Sequence, residues 1–234
     1  MPSAVLLRAH IENKIPSAFA RSPRLEQKTL LTGIAEIDAM TGGVPMSALT
    51  EICGSSLASS GKTSVLVSLL AAAAEKHFCA LVDAGDSFDP VSAEATGMNF
   101  GRLLWVRCGK QKSKLRPLEQ AFKVADMLLQ SGGFGLIAVD LGAIPERVVR
   151  RVPLSSWFRF SRVIEKLPAA LVFLEQQPHA TSCAGLVLQL QSQPAVWQGK
   201  LLTQCNVRAE VVRTREKRPP QSARPDFSLK AQWA

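Results

Sequence analysis

Hydrophobic and polar positions fall into two regimes along this chain of 234 residues. In AVLLRAHIENKI, residues 4 to 15, Leu7, Ile11 and Ile15 recur every fourth position and predict one face of a short helix. Pro16 disfavours its continuation, and the aperiodic PSAFARSPRLEQK that follows predicts an extended linker. From Leu30 onward, short apolar runs alternate with longer helical ones, the pattern of a parallel sheet with crossover helices. ALTEICG predicts a strand entering a loop, and GKTSVLVSLLAAAAEK the helix leaving it. FCALVDAG and RLLWVRC predict two further strands, joined by a helical connection. PLEQAFKVADMLLQSGG predicts a helix ended by Gly132, and GLIAVDLG the strand after it. SSWFRFSRVIEKL predicts a helix capped by Ser155 or Ser156, followed by the strand AALVFLEQ. GLVLQLQ and VRAEVVRTR alternate as late, antiparallel strands, and the tail REKRPPQSARPDFSLKAQWA predicts mostly extended chain. The expected organisation is an N-terminal helix and linker over residues 1–29, an α/β core over 30–218 and a basic, proline-containing tail over 219–234.

Composition narrows the class. Hydrophobic residues at 47% and charged residues at 20% fit an ordinary globular protein. No apolar run reaches the ~18 residues that a membrane-spanning helix needs, and charges at Arg8, Glu12 and Lys14 interrupt any signal peptide. Cys53, Cys79, Cys108, Cys183 and Cys205 form no CxxC pair and mostly lie in apolar stretches, so buried free thiols in a reducing cytoplasm are expected. The formal charge of +9 suggests an acidic partner, nucleic acid first, with a basic protein bearing solvated arginines as the alternative that charge alone leaves open. Aromatic residues are sparse at 6%, with no tyrosine, so no base-stacking platform is advertised.

The chemistry concentrates in GSSLASSGKTS, residues 54 to 64. A phosphate-binding loop reads G-x-x-x-x-G-K-[ST]: backbone N–H groups at a helix N-terminus surround the phosphates, the lysine neutralises them, and the hydroxyl holds Mg²⁺. Here Ser59, Ser60, Gly61, Lys62, Thr63 and Ser64 supply the end of that pattern. The opening glycine is displaced: Ser56 stands in its place and Gly54 is the nearest, leaving six residues between glycines instead of four. Asp140, closing GLIAVD, suits a Mg²⁺ carboxylate on a strand expected to adjoin the loop's strand, or a plain strand-end cap. Asp83, Asp86 and Asp89 in VDAGDSFDP either polarise a water or form turns before Pro90. His10, His77 and His179 are scattered and suggest no site, while Trp105 and Trp157 read as core.

LLTGIAEIDAMTGGVPMSALTEICG, SSGKTS, ALVDAGDSFDP, GLIAVD and LVFLEQ run in the order seen in bacterial RecA recombinases, and the resemblance covers roughly residues 30 to 218. LTEICG with SSGKTS, FCALVDA with DSFDP, RLLWVRC and PLSSWFRF are similar, more closely, to the RecA-like ImuA proteins. That family accompanies an ImuB Y-family polymerase homologue and a replicative-type polymerase in SOS-induced translesion mutagenesis. The resemblance implies a RecA-like P-loop core with a mostly parallel sheet and late antiparallel strands. ATP and Mg²⁺ are its implied cofactors, with Lys62 and Thr63 as loop residues, Asp140 as the Walker B aspartate and Gln176 as the γ-phosphate sensor. It implies further that Arg213 and Arg215 reach a neighbouring protomer's nucleotide, and that residues 4 to 15 dock on an adjacent subunit. The implied partners are the polymerase homologue with its polymerase complex, single-stranded DNA, and RecA or a second copy.

Three departures bear on activity. Where recombinases carry the glutamate that orients the attacking water, this chain has Gly85, with Asp86 as a weak substitute. The loss of an activating carboxylate typically forfeits about 10²–10⁴ in rate. The segments QPHATSCA after Gln176 and LGAIPERVVRRVP after Asp140 are shorter than the recombinase DNA-binding loops, so strand exchange is not expected. Arg147, Arg150, Arg151, Arg218 and Arg224 are candidate phosphate contacts, or a solvated surface. The leading expectation is a translesion-synthesis accessory with weak or absent hydrolysis; an active ATPase switch and an SOS cell-division inhibitor are the alternatives.

Overall fold

The computed structural model describes residues 28–55, 60–109, 116–215 and 225–230. Residues 1–27 of the expected N-terminal helix and linker, Ser59, Arg218 and Arg224 lie outside the described residues, and Thr29 belongs to the first strand. A two-stranded antiparallel pair, β1 (Thr29–Leu30) and β2 (Val44–Pro45), brackets the short helix α1 (Ala35–Thr41). Then come β3 (Ala48–Gly54), α2 (Lys62–Ala74), β4 (Cys79–Asp83), α3 (Pro90–Glu94) and β5 (Leu103–Arg107). After these follow α4 (Pro117–Ser131), β6 (Leu136–Asp140), α5 (Glu146–Val149), α6 (Leu154–Ile164) and β7 (Ala170–Glu175). The chain closes with β8 (Ala184–Gln198), β9 (Leu201–Thr214) and β10 (Asp226–Lys230).

Eight strands form one sheet in the order β10-β9-β8-β3-β7-β6-β4-β5. Strands β3 to β8 run parallel, while β9 is antiparallel to β8 and β10 antiparallel to β9. This is the expected α/β architecture. The sheet extends past residue 218, because Asp226–Lys230 in the tail adds its edge strand. Every residue of β3, β4, β6 and β7 is buried, which explains why these segments read as continuous apolar runs rather than alternating ones. Ile37 of α1, the α2 residues Val65 to Leu70 and Ala93 of α3 pack on one face. Leu118 to Leu129 of α4, with Trp157, Phe160 and Ile164 of α6, cover the other. The four thiols Cys53, Cys79, Cys108 and Cys183 are buried, Cys205 is half-buried, and all five are free.

Two sequence expectations are corrected. The strand ending in Asp140 does not adjoin β3: β7 lies between them, and strand order depends on crossovers that local pattern does not encode. The helix α6 is capped by neither Ser155 nor Ser156; it starts at Leu154 after Pro153, and both serines lie inside its first turn. Pro153, with φ fixed at −61°, directs the chain into the helix without a side-chain cap. Elsewhere the local signals hold, as in α4, which has Pro117 at its first position and Gly132 at its C-cap with φ 67°.

Candidate functional site

The carboxyl ends of β3, β4, β6 and β7 bring Gly54, Asp83, Asp140 and Glu175 to one edge of the sheet, the edge where open α/β sheets bind ligands. Gly61 opens α2 with φ 76°, a left-handed conformation that favours glycine. A Cβ there would also meet Val207 of β9 at 2.6 Å. Residues 56–59, the middle of the loop, lie outside the described residues. Ser60 is buried against Gly54, whereas Thr63 and Ser64 in the first turn of α2 are exposed. A cavity of about 750 Å³ opens beside Thr63 and Ser64, with Ser87, Asp89 and Phe227 on its walls.

Lys62 Nζ donates to the carbonyl of Gly54 at 3.0 Å. Its ammonium is held below its ordinary pKa by burial, partly offset by Asp140. Lys62 and Asp140 meet over Gly142: a Cβ on that glycine would lie 2.9 Å from Asp140 Oδ1 and 3.3 Å from Lys62 Nζ. Asp140 Oδ1 accepts from the Gly142 N–H at 2.8 Å, and Oδ2 accepts from Ser87 Oγ at 3.1 Å. Burial pushes the Asp140 carboxyl above its ordinary range, against these bonds and the Lys62 charge. Ser87 is thus a site residue that the sequence did not single out.

The three aspartates after β4 separate in role. Asp83 is fully buried and accepts from the N–H groups of Ser87 and Phe88, each at 3.0 Å, and from Trp105 Nε1 at 3.3 Å. Asp89 caps α3 by accepting from Val91 and Ser92. Asp86 is gripped by Arg107, whose Nε and Nη2 donate at 2.5 and 3.1 Å. That pair directs the Asp86 carboxylate away from work as a base. Asp86→Asn, which removes the charge but keeps a residue that tolerates the φ of 53° at this position, is therefore expected to change any phosphate release less than about twofold and to lower stability only slightly. Release assays beside thermal melts check this, and a tenfold fall in turnover would restore Asp86 as a catalytic group. Gly85, which the resemblance pairs with a glutamate, faces Ala143, and a Cβ added there would collide with the Ala143 methyl.

Gln176, just past β7, donates from Nε2 to the carbonyls of Gly142 at 3.2 Å and Ile144 at 3.0 Å. One side chain thereby joins the end of β7 to the loop beside Asp140 and Lys62. Arg213 and Arg215 are engaged within the chain. Arg213 Nη1 donates to Thr181 O at 2.6 Å; Arg215 donates to Glu165 at 3.1 Å and to the carbonyls of Ser182 and Cys183 at 2.9 and 3.2 Å. Arg147, Arg150 and Arg151 are exposed around α5.

A second polar cluster lies beneath Gln176. His179 is not isolated: its Nδ1 stands 2.6 Å from Glu175 Oε2, and its backbone N–H donates to Glu51 Oε1 at 2.6 Å. Both glutamates are fully buried. Their signal was visible as acidic residues inside the apolar runs LTEICG and LVFLEQ, where only tertiary partners make burial tolerable.

The donors suit a magnesium nucleotide. A helix N-terminus, an ammonium, the exposed Thr63 hydroxyl and the Asp140 carboxylate meet the needs of a cation that keeps most of its waters. Among the described residues no three metal-ligating side chains converge, so the ion would come with the phosphates rather than into a protein-only cage.

Comparison with known proteins agrees with this geometry. The profile of the RecA N-terminal domain matches residues 18–148, and the chain belongs to that family. It has the fold of a RecA-like nucleotide-binding domain. Among its relatives, the protein RecA of Colwellia psychrerythraea is 36% identical over 119 residues, 50% of this chain and 32% of the relative. The protein RecA of Rickettsia bellii is 35% identical over 125 residues, 52% of this chain and 34% of the relative. The chain thus spans about a third of the length of the curated relatives it matches. The family match includes Lys62, Thr63 and Asp140 and stops before Gln176, Arg213 and Arg215. No helix among the described residues is long and apolar enough to cross a membrane.

Proposed function

We propose that this chain is an accessory protein of DNA-damage-induced translesion synthesis, one that holds ATP and Mg²⁺ at Lys62, Thr63 and Asp140 and hydrolyses the nucleotide slowly or not at all. The observation that carries the reading is the pairing of a retained lysine–aspartate site with a Gly85 packed against Ala143. The site keeps the groups that bind phosphate and lacks both the carboxylate that would activate water and the room for it. Lys62, which donates to the Gly54 carbonyl, and the first-turn N–H groups of α2 would hold the phosphates of a bound nucleotide. Bound Mg²⁺ would shield phosphate charge, with Thr63 and Asp140 steadying it. On this reading Gln176 passes the state of the site to the turn after β7, and its bonds to the Gly142 and Ile144 carbonyls support that role.

The pathway rests on the resemblance to the ImuA proteins. The setting on this reading is DNA repair in the cytoplasm; the family match and the RecA relatives support its coarser part, a RecA-like nucleotide-binding domain. The partners on this reading are a Y-family polymerase homologue of the ImuB kind with its replicative-type polymerase, single-stranded DNA, and RecA or a second copy. Exposed Arg147, Arg150 and Arg151 supply phosphate contacts that weaken steeply with salt.

The test is titration of the purified protein with a fluorescent ATP analogue and Mg²⁺, beside Lys62→Ala, with phosphate release measured in the same samples. Saturable binding is expected, weakened about 10–100-fold in Lys62→Ala, the value of a charged hydrogen bond, with negligible release. Steady turnover would place an active ATPase switch first instead.

A further inference from the structure

Glu51 of β3 and Glu175 of β7 are the structure's least expected pair. In the parallel register Glu51 lies opposite Phe173, and Cys53 opposite Glu175. Residues two apart share a face, so both carboxylates project from one side of adjacent strands as diagonal neighbours. Strand spacing and rise put their Cα atoms about 8 Å apart, within reach of two glutamate side chains. Each carboxylate uses one oxygen. Glu51 Oε1 accepts from the N–H groups of His179 at 2.6 Å and Ala180 at 2.7 Å, and Glu175 Oε2 meets His179 Nδ1 at 2.6 Å. The other two oxygens, Glu51 Oε2 and Glu175 Oε1, are buried with no hydrogen-bond partner.

Two buried acceptors without a donor are costly, and two like charges side by side are costlier. A single proton answers both: it turns one idle acceptor into a donor toward the other and removes one negative charge. We propose that Glu51 and Glu175 share one proton, and that its presence regulates the nucleotide site by holding the turn of residues 177–180 that follows Gln176. The regulatory half rests on the nucleotide-binding reading above; the shared proton does not. Glu51 anchors that turn through two backbone bonds, Glu175 anchors it through His179, and Gln176 between them and the loop beside Asp140 ties to Gly142 and Ile144. When the proton leaves, two anions face each other at the root of this turn, and the turn must open or admit water.

The surrounding charges are few. Arg213 of β9 favours the Glu51 anion, and Glu146 of α5 adds to the two glutamates in favouring a charged His179. Cys53 and Cys183, which also face the pair, are thiols pushed up chiefly by burial; Lys62 acts on Cys53, and Arg215 and Arg213 on Cys183. Burial, with Glu51 adding, lifts Glu175 to about 7, and burial raises Glu51 as well, against its backbone bonds. His179 is raised by its bond to Glu175. A glutamate raised in the folded state binds its proton more tightly there than in the unfolded chain. Stability therefore falls as pH rises from the ordinary glutamate value to about 7, and the raised His179 acts in the same direction.

The experiment is urea unfolding of the full chain from pH 5 to 8.5 for wild type, Glu175→Gln and Glu51→Gln, with the fluorescent ATP analogue titrated at pH 6 and pH 8. Wild type is expected to lose stability across pH 5–7 with the slope of about one proton taken up on folding. Either glutamine variant should flatten that slope and match or exceed wild type at pH 8, because its amide N–H donates in the proton's place. Analogue binding is expected to differ about fivefold between the two pH values in wild type and not in Glu175→Gln. An unchanged slope in both variants, or two variants less stable than wild type at pH 8, overturns the shared proton. A flattened slope with pH-independent binding overturns the regulation alone. A flattened slope with no binding at either pH overturns the nucleotide reading while the shared proton stands.

Discussion

Phe173→Ala is expected to destabilise the fold by about 3–5 kcal/mol, the range for emptying an aromatic site in a core, and to lower Tm by roughly 10 °C for a domain of this size. Phe173 is fully buried on β7, between β3 and β6 in the sheet. Its ring centroid lies 5.0 Å from Trp157, 5.6 Å from Phe160 and 6.0 Å from Phe122. Phe122 in turn stacks edge-on against Trp157 and Phe160 at 5.4 and 5.2 Å. Four rings therefore join α4 and α6 to the middle of the sheet, and removing the one on the strand leaves a space that no single neighbour can fill. Chemical unfolding checks the value. A loss under about 1 kcal/mol would show that the helices settle onto the sheet without this cluster.

Gly85→Glu is expected to leave phosphate release at its wild-type level, although a working carboxylate at that position would raise it about 10²–10⁴-fold. The Cβ itself collides with Ala143, so the difficulty lies in the backbone approach and not in the reach of the new side chain. Room could come only from moving residues 142–144, and that loop is held by the Gly142 N–H bond to Asp140 and by Gln176. Overpacking of this kind destabilises by about 1–3 kcal/mol, which a thermal melt reads. The double variant with Ala143→Gly should recover stability, because it removes the methyl in the way. A hundredfold rise in release from Gly85→Glu alone would mean that the loop yields easily and that only the missing carboxylate limits turnover.

The strands that carry the candidate site are legible because their signals are local. Continuous apolar runs with β-branched residues mark fully buried parallel strands, and the Gly-Lys-Thr at the start of an apolar helix marks the loop. Gly85 reads in the sequence as a missing carboxylate, but its packing against Ala143 depends on two crossovers meeting and has no local trace. Asp86 reads in the sequence as a weak substitute, and its pairing with Arg107 has no local trace, because Arg107 belongs to the edge strand β5. The hydrogen bonds of Arg213 and Arg215 to residues 181–183 likewise have no local trace, because β9 brings them there from far along the chain.

The sequence by itself determined the α/β class, most strands and helices, and the helix start that carries Lys62 and Thr63, because propensity and periodicity act over a few residues. Only the tertiary structure decided that β7 separates Asp140 from the loop strand, that the tail adds β10, and that the buried Glu51 and Glu175 meet a half-buried His179. Those outcomes follow from strand order and register, which are settled by which distant surfaces exclude water together. A buried carboxylate shows in the sequence only as an acidic letter in an apolar run; the partners that stabilise it come from elsewhere in the chain.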